Sequence, residues 1–310
     1  MEKFEINYLK IFECQKGYRN EIWPVLTSDN RMINVTFHKR ETGAIERIRR
    51  ADAVSEYLSV RGMLTRKRFD NRTLTLRSGA ATTNICIYNY LSGDTIPWEA
   101  YTMSHIKLLG QTMSDMHAHL SEMQTTNLPS VYEEYGHIIE RMEMYFSKPS
   151  IQKAVKQKLK LSVVTNSFEK YQQLFDKYAS KPNQQPLHMD FVRGNILFKN
   201  GVISGILDFE KTAKGDTVVD LARTLAFLLV DCKYKTNDKV YKYFVYSGYQ
   251  KRGKNKDIGN DFDRNTFVEI FLFYDFYKFL LHNPYESLHL NEHFVRTRDI
   301  LVKRGVISYL

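Results

Sequence analysis

The chain has 310 residues, 43% hydrophobic and 26% charged, with a formal net charge of +10. No run of about 18 apolar residues occurs, so no membrane-spanning helix is expected, and Cys14, Cys86 and Cys232 lack the spacing of a disulfide framework or a zinc site. Lys and Arg are dispersed rather than clustered, so the positive charge reads first as a solvated surface and only second as a nucleic-acid footprint.

In chain order, Tyr8 to Cys14, Glu21 to Leu26 and Met32 to Lys39 are predicted strands. Gln15 to Asn20, with Gly17 inside it, forms the loop between the first two. Ile45 to Val60 carries Ile45, Ile48, Ala51, Val54 and Leu58 at helical spacing. Leu74 to Leu76 and Ile85 to Leu91 add two strands, and Ser92-Gly93 marks the passage into a helical region. There His105 to Glu122, Tyr132 to Phe146 and Ile151 to Tyr178 are predicted helices, followed by the polar loop Ser180 to Gln185. Val218 to Val230, Asn265 to Leu281 and Phe294 to Ile307 are the last three. The predicted fold is α+β, with a small β-rich lobe over 1–91 and a larger, mostly helical lobe over 92–310. The start, Met1-Glu2-Lys3-Phe4-Glu5, lacks the apolar core of a secretory signal, so a cytoplasmic setting is expected.

The chemistry concentrates in Leu187 to Ala222, LHMDFVRGNILFKNGVISGILDFEKTAKGDTVVDLA. Asp190, Asn195 five positions on and Asp208 thirteen further offer three oxygen-bearing side chains. Phosphoryl transfer from a nucleotide needs such a set: one carboxylate for the acceptor hydroxyl, an Asn and a carboxylate for magnesium. Ile196 to Phe198 and Ile203 to Leu207 are short apolar runs broken by Asn200-Gly201, a hairpin signal. The loop then enters one arm of a hairpin and Asp208 leaves the other.

These residues resemble the aminoglycoside phosphotransferase and choline kinase-like family of small-molecule kinases. The likeness rests on His188-x-Asp190, Asn195, the hairpin, Asp208-Phe209-Glu210, Gly215-Asp216 and Asp220-Leu221-Ala222. Met189 is a departure, since the family usually carries Gly there. The resemblance implies a two-lobed protein kinase-like fold, ATP and Mg2+ as cofactors, and a small-molecule hydroxyl as phosphate acceptor. It implies that Asp190 is the catalytic base, that Asn195 and Asp208 hold the metal, and that His188 and Asp220 support the catalytic loop. Glu210 would reach the metal through water or form a surface ion pair. Lys39 would grip the nucleotide phosphates, with His38 or Arg40 taking the role if the register slips by one, and Asp52 or Glu56 would supply its carboxylate partner. Gly17, Tyr18 and Asn20 fall in the phosphate-covering loop, and Tyr88, Asn89 and Tyr90 in the hinge that reads the adenine edge. His117 is read as a packing histidine.

The acceptor is left open among aminoglycosides, choline or another amino alcohol, sugars and amino acids. The stretch from Leu221 onward is net positive, which does not favour a strongly acidic pocket. Phe271 to Phe279 is an aromatic stripe that suits a core better than a cation cage. Two alternatives stand beside the kinase reading: a catalytically quiet kinase-fold module that binds nucleotide, and a basic nucleic-acid-binding protein.

Overall fold

The computed structural model describes residues 1–17, 20–38, 43–78, 81–124, 127–164, 167–252 and 258–310. Lys39, Arg40 and Tyr18 lie outside these residues. The chain forms two compact units, Met1–Thr95 with Gly194–Thr212, and Ile96–Arg193 with Ala213–Leu310. The sequence division at 91/92 left the hairpin with the helical part, whereas the compact units join it to the strand-rich part.

In the first unit, β1 (Tyr8–Ile11), β2 (Asn20–Thr27), β3 (Met32–His38), β4 (Arg68–Ser78) and β5 (Ala81–Asn89) form an antiparallel sheet in the order β1-β2-β3-β5-β4. The two-residue strand Gln15–Lys16 also pairs with β2. Period-two alternation gives this sheet two different faces. Ile33, Val35, Val25, Ile85 and Ile87 pack together on one face. Cys86 and Tyr88 pack on the other against Ile48 of α1 (Ala44–Val60). Thr36 pairs with Cys86 and His38 with Asn20, so His38 belongs to the face that α1 covers. Helix α1 buries Ala44, Ile48, Ala51, Val54, Ser55 and Leu58, the three- and four-residue spacing that the sequence displays.

The hairpin is β8 (Ile196–Lys199) with β9 (Val202–Ile206), once α2 (Met103–Leu120), α3 (Val131–Phe146), α4 (Pro149–Ala154), β6 (Leu161–Val163), α5 (Ser167–Ala179) and β7 (Gln185–Leu187) are counted. Asn200 and Gly201 both have positive φ, 53° and 78°. That pair of left-handed residues is what a two-residue turn matched to strand twist demands. The hairpin joins the first unit through Asp94, whose backbone exchanges two hydrogen bonds with Phe198.

The second unit continues with β10 (Ala213–Gly215), α6 (Thr217–Asp231), α7 (Asn237–Tyr241), α8 (Asp261–His282), α9 (Glu292–Lys303) and β11 (Ile307–Tyr309). Two expectations are corrected here, and one element is added. The helix predicted over Ile151 to Tyr178 is broken: Lys160 adopts φ 56°, and β6 leaves to pair with β11. The last helix stops at Lys303 because Gly305, at φ 73°, turns the chain into that same strand pair. Asn237 to Gln250, which has no predicted element, is helical, α7 running on into a π-helical segment over Lys242–Gln250.

Three rings of the aromatic stripe of α8 are core. Phe271, Phe273 and Phe276 are buried, and Phe273 stacks on Phe146 with centroids 5.0 Å apart. These rings therefore do not line a cation cage.

Candidate active site

The candidate site residues fall into two groups, one in each unit. In the helical unit, β7 pairs with β10, Leu187 opposite Ala213, and the chain then passes through His188, Met189 and Asp190. The Asp220 carboxylate, in the first turn of α6 and fully buried, fixes this passage. Its Oδ2 accepts the His188 N–H at 2.8 Å and its Oδ1 the Met189 N–H at 2.9 Å. His117 Nε2 lies 3.0 Å from Oδ2, and His117 Nδ1 lies 2.7 Å from the Tyr249 hydroxyl. With Nε2–H donating to the carboxylate, Nδ1 accepts from Tyr249. Burial opposes the charge of Asp220, but the His117 and His188 interactions win and hold its pKa below the ordinary value. The next residue in the relay is placed the same way: the Asp190 N–H donates to His188 Nδ1 at 3.2 Å.

Tyr249 reaches His117 because α2 and the Lys242–Gln250 segment cross at two glycines. A Cβ on Gly110 would sit 2.2 Å from the Phe244 carbonyl oxygen, and one on Gly248 would sit 2.7 Å from that of Lys107. No other residue allows that approach.

Met189 has φ 60° with its side chain buried. This left-handed position costs a non-glycine residue roughly 1–2 kcal/mol. At an ordinary site Ala is the better residue by about 0.5–1 kcal/mol. Here we expect Met189→Gly to unfold at higher denaturant than Met189→Ala, an inversion that equilibrium urea titrations of the two variants will read. Both should be less stable than wild type, since each removes a buried side chain.

In the strand-rich unit, Ile206 pairs with Ile196 and the Leu207 N–H donates to the Asn195 carbonyl at 2.8 Å. Asn195 and Asp208 therefore leave the hairpin at the same end. Asp208 has φ 55°, and its Oδ1 accepts the Glu210 N–H at 3.3 Å. Among the described residues no group of three His, Cys, Asp or Glu side chains could by itself hold a metal ion. An amide oxygen and a carboxylate at one hairpin end nevertheless suit magnesium, which typically takes one or two carboxylates and completes its shell with phosphate oxygens and water.

Glu210 is not at the surface. Its side chain is 7% exposed, its Oε1 accepts from Asn20 Nδ2 at 3.0 Å, and His38 Nδ1 lies 3.4 Å away. Burial alone would raise its pKa; the His38 and Asn20 contacts outweigh that and bring it down to about 2. His38 is raised in turn, its burial being outweighed by Cys86 and Glu210. Glu210 is thus a buried anion paired with a strand residue 172 positions away, a contact that local sequence pattern does not carry.

Asp52 faces Arg68, whose Nε lies 2.6 Å from its Oδ2, and Arg66, whose Nη2 lies 3.6 Å from its Oδ1. Its Oδ2 is thus taken by Arg68, while its Oδ1 has no hydrogen-bond partner. Glu56 is exposed. Gly17 donates its N–H to the Asn20 carbonyl at 2.9 Å, closing the loop between Gln15–Lys16 and β2. Tyr88 is buried, its ring beneath the Arg66 guanidinium at 3.9 Å. The N–H groups of Asn89 and Tyr90 are committed to the carbonyls of Lys67 and Met32.

The family model described as "Phosphotransferase enzyme family" (APH) matches residues 11–231. No curated protein sequence matches the chain. Among solved structures, the amicoumacin kinase hAmiN in complex with AMP-PNP, Ca2+ and Ami is similar at a TM-score of 0.73 and 14% identity, over 98% of this chain and 92% of that one. A microcompartment-associated aminopropanol kinase is similar at 0.71 and 12% identity, over 96% and 94% of the two chains. The aminoglycoside phosphotransferase of Alicyclobacillus acidocaldarius is similar at 0.59 and 14% identity, over 97% and 93%. At these identities the likeness establishes a shared fold.

Proposed function

The chain belongs to the phosphotransferase enzyme family, and we propose that it transfers the γ-phosphoryl group of ATP to a hydroxyl group of a small molecule, with Mg2+. The observation that carries this reading is the common exit of Asn195 and Asp208 from one end of the β8–β9 hairpin, with Asp190 five residues upstream on a loop held by Asp220. Bound magnesium would neutralise phosphate charge as the bond to the leaving oxygen breaks. Asn195 and Asp208 would hold it. Asp190 would orient the acceptor hydroxyl and take its proton late, because a loose transition state leaves the nucleophile little bonding until then. We infer that the adenine edge is read by backbone groups of this segment other than the N–H groups of Asn89 and Tyr90, which donate to the carbonyls of Lys67 and Met32.

For the acceptor, the helical unit contains a cavity of about 330 Å3 lined by Phe227, Asp275, Phe279 and His293, among others. Asp275 is already met by Arg223 Nη1 at 2.9 Å and by Lys278 Nζ at 2.7 Å. A carboxylate so neutralised is a poor anchor for a polycation. We therefore place amino alcohols, sugars and amino acids ahead of aminoglycosides.

A second reading, a nucleotide-binding module without turnover, is favoured by one feature, the buried non-glycine Met189 in a left-handed conformation. Phosphate transfer from ATP across a panel of alcohols, with and without Mg2+, separates the two. We expect magnesium-dependent product with at least one acceptor class and its loss, by at least about 10²-fold, in Asp208→Ala. Nucleotide binding without transfer to any acceptor would select the quiet module.

A further inference from the structure

We propose that Arg66 is the residue that binds the phosphate tail of the nucleotide in this chain, an assignment that rests on the phosphotransferase reading above. Its side chain is 12% exposed, yet its Nε and Nη2 have no hydrogen-bond partner. A buried N–H left unpaired costs roughly 1–3 kcal/mol, more when the group is charged. An anion supplied from outside the protein removes that cost.

The backbone explains why Arg66 stands where it does. The segment after α1 runs beside β9: Thr65 forms a parallel bridge with Ile206, and the Ile206 N–H donates to the Leu64 carbonyl at 2.8 Å. Continued by one residue, that parallel register sets Arg66 beside Leu207, the residue before Asp208. The carboxylates of Asp208 and Glu210 act on the guanidinium accordingly. Together with Tyr88 and Asp52 they outweigh its burial and keep it charged.

Its neighbours fix its plane without using its donors. The guanidinium carbon lies over the Tyr88 ring at 3.9 Å. Asp52, the one carboxylate within 4 Å among the described residues, hydrogen-bonds Arg68 at 2.6 Å and stands 3.6 Å from Arg66. A flat, always-charged fork, held by a ring face and left with unpaired N–H groups on its edge, is the geometry that takes two phosphate oxygens at once. Two other buried basic side chains are described in this region, but Arg68 Nε is 2.6 Å from Asp52 Oδ2 and His38 Nδ1 faces Glu210 at 3.4 Å. In each case the partner is a protein carboxylate.

Calorimetric titration with ADP and with adenosine tests the assignment without turnover or an acceptor. Wild-type protein should bind ADP more tightly than adenosine. Arg66→Ala should weaken ADP about 10–100-fold, the worth of hydrogen bonds to a charged group, and leave adenosine binding within about 2-fold of wild type. Arg66→Lys keeps the charge without the fork. It should fall between wild type and Arg66→Ala, and it carries the test if the alanine variant does not fold. Lys39→Ala, titrated alongside, should keep most of the preference for ADP. An Arg66 variant with the wild-type ADP-to-adenosine ratio, or one that loses both ligands equally, overturns the assignment. Wild-type protein that binds neither ligand would overturn the phosphotransferase reading, and this assignment with it.

Discussion

Replacing Asp190 with Asn should lower kcat by about 10²–10⁴ while leaving the melting temperature and ADP affinity close to wild type. The expectation separates position from charge. Asn keeps the size of the side chain, and two bonds that shape the loop are made by the backbone of residue 190. The Asp190 N–H still reaches His188 Nδ1, and the Val192 N–H still reaches the Asp190 carbonyl at 2.8 Å. What the change takes away at the acceptor is a group able to take its proton. If kcat and KM for ATP moved together instead, the residue would be holding the nucleotide rather than serving the hydroxyl. Steady-state kinetics with saturating acceptor decide between these outcomes.

Asp220→Ala should be the most destabilising single change in the helical unit, by about 3–5 kcal/mol. The carboxylate accepts two backbone N–H groups and contacts His117, all inside the protein. Removing it strands the N–H groups of His188 and Met189 and one ring nitrogen of His117 with no water to replace it. Asp220→Asn restores only part of this, because one of its two oxygens becomes a donor facing another donor. We therefore expect the order wild type, Asn, Ala in urea midpoint. Activity should fall in the same order and more steeply, since a loop displaced by about 1 Å can cost 10²-fold in rate. Equal stability of Ala and wild type would mean that the loop is fixed by something other than Asp220.

How much of this could be read in the sequence depends on the range of each interaction. The strands, α1 and the hairpin were legible because their cues are local: alternation on β3, helical spacing from Ile45 to Leu58, and Asn200-Gly201 with its two positive φ values. The break after Lys160 was not, because it is imposed by pairing with Ile307–Tyr309 at the far end of the chain. The helical segment ending at Gln250 escaped for a related reason. Its packing depends on glycines at 110 and 248 that approach only in the fold. In the site, Asp190, Asn195, Asp208 and Asp220 were legible as a spaced motif. Arg66 and the His38–Glu210 pair were not, because the burial of an arginine in the basic run 66–68 and the approach of a strand-end histidine to Glu210 depend on contacts far apart in sequence.

The central claim is direct phosphate transfer, and ATP carrying 18O on its γ-phosphoryl group tests it most directly. With protein, Mg2+ and an accepted alcohol, mass spectrometry should find the label in a phosphate monoester of that alcohol, with at least about 10²-fold less formed by Asp190→Asn in the same time. Label recovered only in inorganic phosphate, or equal labelling of the alcohol by the Asp190 variant, would contradict the account.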